Sequence, residues 1–158
     1  EYMESSISFI TKFGWISAFA RGNKVTSIQF KKLKQKHYPS FILYKLKKNI
    51  NLYFRGKKRR INIPIKLSGN ILQKKIWKEI KNINKGHTKS YGQIAKKLKI
   101  SPRYVGKVCS QNQHLLVIPC HRVIKTDGSL AGFSAKAGIK LKRKLLIFEQ
   151  NESFKKKQ

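Results

Sequence analysis

Carboxylates are scarce in this chain: six Asp and Glu stand against 37 Lys and Arg, a formal net charge of +31 over 158 residues. The excess is evenly spread, with 16 basic and 2 acidic residues over 1–66 and 21 and 4 over 67–158. Such a surface fits a polyanion, because basic side chains gain affinity by releasing counterions from phosphates. Lys, Ile and Asn are enriched throughout, however, so charge by itself does not single out nucleic acid; a motif must. Cysteine is scarcer still. Cys109 and Cys120 make no disulfide framework and fit a reducing compartment. His37, His87, His114 and His121 are scattered without zinc spacing, so no metal is expected. No run of 18 apolar residues occurs, which excludes a membrane-spanning helix. The opening "EYMESSISFITKFGWISAFARG" lacks the basic start and apolar block of a secretory signal, and an intracellular protein is expected.

What is present suffices for a core: 40% hydrophobic and 11% aromatic residues exclude a disordered chain, and the length suits one unit or two small ones. The expected class is α/β. Residues 1–66 read as a strand-rich scaffold with one helix. "ISFITKFGWISAFARGNKVTSIQF" has two apolar runs, with a Gly-Asn turn in "RGNKV" before a second β-type run. "SFILYKLKKNINLYFRG" repeats its apolar residues at helical spacing and stops at Gly56; "KKRRINIPIKL" follows as a basic turn into a short strand or extended linker. Residues 67–158 read as mainly helical. Ile71, Ile76, Trp77, Ile80 and Ile83 lie near helical spacing, with lysines on the other face. Ser90 is a candidate cap for "YGQIAKKLKI", with Ile94, Ala95 and Leu98 inward, and Ser101 caps a second helix with Pro102 in its first position. Two short helices joined tightly make a helix-turn-helix.

The chemistry concentrates in "VIPCHRVI", residues 117–124. A lone cysteine in an apolar run is ordinarily an inert core residue, and adjacent side chains on an extended strand face opposite ways, so the Cys120–His121 pair alone decides little. The whole string, in register with Tyr91, "SPRYVG", Asn112 and "GSLAGFS", resembles the O6-alkylguanine-DNA alkyltransferases. The resemblance spans about residues 50–150, with "LYFRG", "KSYGQIA", "VIPCHRVI" and "LLIFE" in the family's order; over 1–50 it is a compatible strand pattern.

That resemblance implies a ribonuclease H-like sheet-plus-helix domain over 1–66 and a winged-helix-like domain over 67–158. It implies single-turnover transfer of the alkyl group from O6-alkylguanine, and less efficiently O4-alkylthymine, in DNA to Cys120. The chemistry suits the residue: displacement at carbon needs a soft nucleophile, and a thiol titrating near pH ~8.5 needs activation. The resemblance assigns that activation to His121 through a bound water, with Glu149 orienting the ring, and makes Tyr91 the donor to the leaving guanine. Arg103 fills the stack vacated by the flipped nucleotide and Tyr91 turns the backbone, with Tyr104 and Gly106 on the same DNA-binding helix. Asn112 braces the turn beside the site; Val123, Phe133, Ser134 and Cys109 line the base pocket, and Arg122 is structural. Tyr104 and Val108 stand where the family has small residues, Phe133 where tyrosine is common and Gln113 where proline is common. No cofactor is implied. The expected partner is double-stranded DNA carrying O6-alkylguanine, the protein a monomer without membrane contact, in the cytoplasm at the nucleoid or, in a eukaryote, the nucleus. A non-catalytic damage sensor would replace Cys120, a thiol hydrolase would need an oxyanion hole, and a plain helix-turn-helix regulator would need neither Cys120 nor His121.

Overall fold

The computed structural model describes residues 3–131 and 138–157. Packing divides the chain into one unit of Glu1–Leu67 with Gln113–Val117 and a second of Ser68–Asn112 with Ile118–Gln158. The first contains an antiparallel meander of β1 (Glu4–Thr11), β2 (Gly14–Arg21) and β3 (Lys24–Gln29), followed by α1 (Phe41–Phe54). Alternation selects the buried face: Ile7 and Phe9 on β1, and Ile16, Ala18 and Ala20 on β2. On β3 the buried Val25 and Ile28 are three apart, an odd spacing for a strand. The register between β2 and β3 shifts at Phe19/Ala20, which leaves Thr26 unpaired and returns both residues to one face. Ile42, Leu43, Leu46 and Ile50 of α1 are buried, and α1 packs against all three strands. Each such aliphatic side chain contributes roughly 1.5–3 kcal/mol on burial.

The first apolar run proves to be two strands. Thr11 ends β1, its Oγ1 donating to the Gly14 carbonyl (2.8 Å) and accepting from Phe13 N (3.2 Å), and Gly14 takes φ 114°. Gln113–Val117, which falls inside the range 67–158 expected from the sequence to form the second domain, packs with the first unit. The reason is backbone pairing: Ile28 N donates to the Gln113 carbonyl (2.8 Å) and Leu115 N to that of Ile28 (3.3 Å). His114 is buried there, a ring nitrogen 3.1 Å from the Val25 carbonyl.

The second unit holds α2 (Ile71–Lys81), α3 (Tyr91–Leu98), α4 (Pro102–Ser110) and α5 (Gly138–Lys157), with the two-residue strands β4 (Lys89–Ser90) and β5 (Val123–Ile124) paired in parallel. Ser90 caps α3 in a capping box with Gln93, and Ser101 caps α4, accepting from Tyr104 N (3.1 Å), with Pro102 at its start. Asn70 and Gln73 form the same reciprocal box on α2. Lys99 ends α3 in the left-handed region (φ 58°), which permits the sharp turn into α4. Ile76, Trp77, Ile80 and Ile83 are buried, but Ile71 is 77% exposed, since the first residue of α2 lies off the inward stripe. Leu98 is likewise only half-buried.

These caps define a stability contrast. Ser90→Ala should cost about 1 kcal/mol in urea unfolding, because Gln93 N loses the Ser90 Oγ that accepts from it. Ile71→Ala should change the midpoint by less than about 0.5 kcal/mol, as a surface substitution does. A larger loss at Ile71 than at Ser90 would contradict the packing described.

Candidate active site

Pro119 precedes Cys120–Arg122, which form a single 3₁₀ turn before β5. This differs from the strand geometry assumed from the sequence, and the difference has consequences. In a 3₁₀ turn successive side chains splay by about 120°, so Cys120, His121 and Arg122 leave the backbone in three directions. The turn is held from both sides: Arg122 N donates to the Pro119 carbonyl (2.9 Å), and Asn112 Nδ2 to that of Ile118 (2.8 Å). Asn112 is thus placed as a brace. All three residues of the turn are buried.

His121 and Arg122 converge on one carboxylate. Glu149, fully buried on α5, accepts from His121 Nε2 at Oε1 (2.6 Å), from Arg122 Nη2 at Oε1 (2.9 Å) and from Arg122 Nε at Oε2 (2.9 Å). Arg122 Nη1 donates onward to the Ile83 carbonyl (2.6 Å). Gln150 Nε2 donates to the Gly86 carbonyl (2.8 Å), so the same loop holds the end of α5 that carries Glu149. Burial pushes the Glu149 carboxyl up, but His121 and Arg122 more than offset this and hold it well below the usual carboxylate range. Burial pushes the His121 imidazole down; Glu149 opposes that, while Arg122 and Lys142 add to it, and the ring is neutral at pH 7. An ionised carboxylate only accepts, so the neutral ring carries its proton on Nε2 and presents a lone pair at Nδ1. That Nδ1 is a buried polar side-chain atom with no hydrogen-bond partner among the described residues.

The thiol sits in a different environment. Burial raises the Cys120 thiol well above its ordinary value, the neighbouring Cys109 thiol raises it further, and Lys142 and Asn112 pull it down. The net direction leaves it protonated at rest, so it needs a base. Cys109, on the last turn of α4, is buried beside it, and Val123 is fully buried at the end of the turn. Tyr91 opens α3, its hydroxyl donating to the Ala131 carbonyl (3.1 Å). Burial, and then the two thiols, raise its phenol, which keeps its proton. Gly106 of α4 approaches the Tyr91 ring closely enough for an added Cβ to lie 3.9 Å from it. Arg103, by contrast, is exposed near the start of α4, and Tyr104 is half-buried. Val108 is fully buried, so its bulk points into the fold and not outward. Phe133 and Ser134 lie outside the described residues. Among the described residues no cluster of His, Cys, Asp or Glu is arranged to hold a metal ion, and no helix is long and apolar enough to cross a membrane.

One residue of the site was not singled out from the sequence. Lys142 is fully buried and donates from Nζ to the Ala131 carbonyl (2.8 Å) and to the Tyr91 hydroxyl (3.3 Å). Burial lowers its ammonium, and the two thiols oppose that. The signal was the helical stripe of α5. Leu141, Leu145 and Glu149 are spaced by four, and Lys142 stands seven before Glu149 on the same face, whereas Lys140 and Lys144 fall outside it and are exposed.

Comparison with known proteins follows the same outline. Residues 71–151 match the model of the 6-O-methylguanine DNA methyltransferase DNA-binding domain. A methylated-DNA–protein-cysteine methyltransferase of Metallosphaera sedula is 36% identical over 146 residues, 90% of each chain. The protein of that name from Sulfolobus acidocaldarius is 45% identical over 97 residues, 61% of each. The O6-methylguanine methyltransferase of Mycobacterium tuberculosis superposes with a TM-score of 0.84 at 26% identity, covering 95% of this chain and 94% of that one. A structure of the same organism's OGT in complex with DNA superposes at 0.81 and 28% identity, covering 93% of each. The small sheet unit and the helical unit are those of this fold.

The two buried histidines predict how stability responds to acid. His121 and His114 are both held below the ordinary imidazole range, by burial first. The unfolded chain therefore binds protons near pH ~6.5 that the folded chain refuses, and stability falls as pH drops below that value. Glu149 acts in the same direction but at lower pH: its lowered carboxyl stabilises the fold at all pH above ~4.3 and loses that contribution only below it. Urea midpoints should decline between pH 7 and 5, each histidine adding at most about 1.4 kcal/mol per pH unit. His114→Gln should make the decline shallower; midpoints flat across this range would mean that neither ring is depressed.

Proposed function

The chain belongs to the 6-O-methylguanine DNA methyltransferase family, and we propose that Cys120 is its alkyl acceptor and His121 the base that frees the thiolate. The protein repairs DNA directly, moving an alkyl group from a damaged base to its own cysteine. The observation that carries this assignment is the His121 ring, with Nε2 tied to Glu149 and Nδ1 left as a buried lone pair one residue from the thiol.

The steps follow from these groups. The Cys120 proton passes to His121 Nδ1 through a water, and Glu149 stabilises the imidazolium that forms. The thiolate attacks the alkyl carbon of O6-alkylguanine, the new S–C bond forms, and the C–O bond breaks with its electron pair on the guanine. Tyr91, still protonated, donates its hydroxyl hydrogen to the base as charge develops there. Lys142, donating to that same hydroxyl, positions it and makes it a stronger donor. The product is a thioether without a good leaving group, so each molecule reacts once. Asn112 supports the turn; Val123 and Cys109 line the base pocket; Arg122 is structural, locking Glu149.

The target oxygen is hidden in the duplex, so the nucleotide has to leave the stack at a cost of a few kcal/mol. We assign Arg103 to the vacated space, with Tyr104 and Gly106 beside it on a helix entering the minor groove. The partner is double-stranded DNA carrying O6-alkylguanine, with O4-alkylthymine a poorer substrate, and the protein acts as a monomer wherever the cell keeps its DNA. We read the first unit as ribonuclease H-like, on its antiparallel meander followed by a helix, and the second as winged-helix-like, on the α3–α4 pair.

Incubation with O6-methylguanine duplex should add one methyl group, about 14 Da, to the peptide holding Cys120. Cys120→Ser should accept nothing, and His121→Ala should react roughly 10²–10⁴-fold more slowly. Repeated turnover, or methyl on Cys109, would remove Cys120 from the acceptor role.

Arg103→Ala separates flipping from chemistry. Repair of paired, damaged duplex should slow by more than about tenfold, whereas reaction with free O6-benzylguanine, which needs no unstacking, should be nearly unchanged. Equal slowing on both substrates would make Arg103 a support of the pocket instead.

A further inference from the structure

The helix α1 of the first unit is amphipathic in an unusual way. Its inner face carries the core residues Ile42, Leu43, Leu46 and Ile50, but its outer face carries rings: Phe41 is 81% exposed and Tyr44 56%. Tyr38, just before the helix, is 65% exposed. The three rings recur at intervals of three, which on α1 sets Phe41 and Tyr44 side by side. Tyr38 is fixed by its backbone: its N donates to Ser6 Oγ (3.1 Å) and its carbonyl accepts from Ser6 N (2.9 Å). Lysines flank the rings on both sides. Lys45 and Lys48 are exposed four residues after Phe41 and Tyr44, and Lys36 Nζ lies 5.8 Å from the Tyr38 ring centre. No acidic residue occurs between Glu4 and Glu79 in the sequence, so no carboxylate on α1 or its flanking segments competes with an incoming anion.

We propose that Tyr38, Phe41 and Tyr44, with Lys36, Lys45 and Lys48, form a docking strip for single-stranded nucleic acid. Exposed rings spaced along a basic surface are the means by which proteins hold unpaired strands: bases stack on the rings while ammonium groups track the phosphates. A duplex keeps its base faces covered and cannot use the rings, so the strip selects unpaired strand. It belongs wholly to the first unit, whereas Cys120, His121 and Glu149 belong to the second. Other occupants fit less well. A membrane-bound helix presents a broad apolar face, but the aliphatic face of α1 is already buried in the core and only a narrow row of rings flanked by lysines remains. A second copy would bring lysine against lysine.

The test is fluorescence anisotropy of a labelled single strand of about 20 nucleotides against the full chain, over a range of salt. Phe41→Ser/Tyr44→Ser should weaken binding about tenfold or more with the salt dependence unchanged. Lys45→Gln/Lys48→Gln should flatten the log–log salt slope by about 1.4, roughly 0.7 for each phosphate no longer neutralised. Conservative Phe41→Tyr/Tyr44→Phe should bind as wild type does. Transfer from free O6-benzylguanine to Cys120 should be the same in all variants, so a failure of the strip and a failure of the assigned chemistry are read separately. Equal affinity of wild type and the serine double variant would overturn the proposal, as would no binding of single strand by wild type. So would loss, in that variant, of binding to phosphatidylserine vesicles or of self-association, with strand binding intact.

Discussion

One buried carboxylate organises the second unit. Taking Glu149 out of water costs several kcal/mol, and the cost is offset only because three charge-assisted hydrogen bonds from His121 and Arg122 converge on its two oxygens. The carboxylate is therefore committed to its place, and with it α5, the 3₁₀ turn and, through Arg122 Nη1, the loop at Ile83. A single interaction ties three stretches that are distant in the chain. It also sets the tautomer of His121, because an acceptor-only partner forces the imidazole proton onto Nε2 and leaves a lone pair on Nδ1.

This explains why so reactive a group is embedded in so apolar a stretch. Burial holds the Cys120 thiol protonated, and a resting thiol is poorly nucleophilic and poorly oxidisable. In the mechanism we propose, reactivity then depends on a base that acts locally when substrate is present. Of the positive groups of the site, Lys142 pulls the thiol down and Arg122 is occupied by Glu149. The remaining positive charge lies largely at the surface, where counterion release lends affinity for nucleic acid without sequence preference. The surface charge and the buried site are thus physically separate features of the chain.

Helix ends and strand faces were legible because they follow from short-range rules. Ser90, Ser101 and Pro102 mark their helices by capping chemistry, and Gly56 follows α1 with φ 74°. Alternation exposed the strand character of residues 4–29, but not the Thr11–Gly14 turn within it, because a lysine and a phenylalanine mask the break that Gly14 makes. Nor did it reveal the bulge at Thr26, which depends on how β2 lies beside β3. The departure of Gln113–Val117 to the first unit was equally hidden, since its reason is pairing with Ile28, 85 residues upstream of Gln113.

By itself the sequence determined the family likeness of the string around Cys120 and the helical pair before it, since these depend on residue type and spacing along the chain. Tertiary structure alone decided the direction of each side chain's chemistry. The 3₁₀ turn sends Cys120, His121 and Arg122 three ways, where an extended strand would have set Cys120 and His121 on opposite faces and returned Arg122 to the side of Cys120. The packing of α5 makes Glu149 a buried anion and not a solvated helix-end charge, and it draws Lys142 out of a run of surface lysines to the Tyr91 hydroxyl. Proton positions and charge states depend on desolvation and on partners many residues away, and neither quantity is written in local sequence.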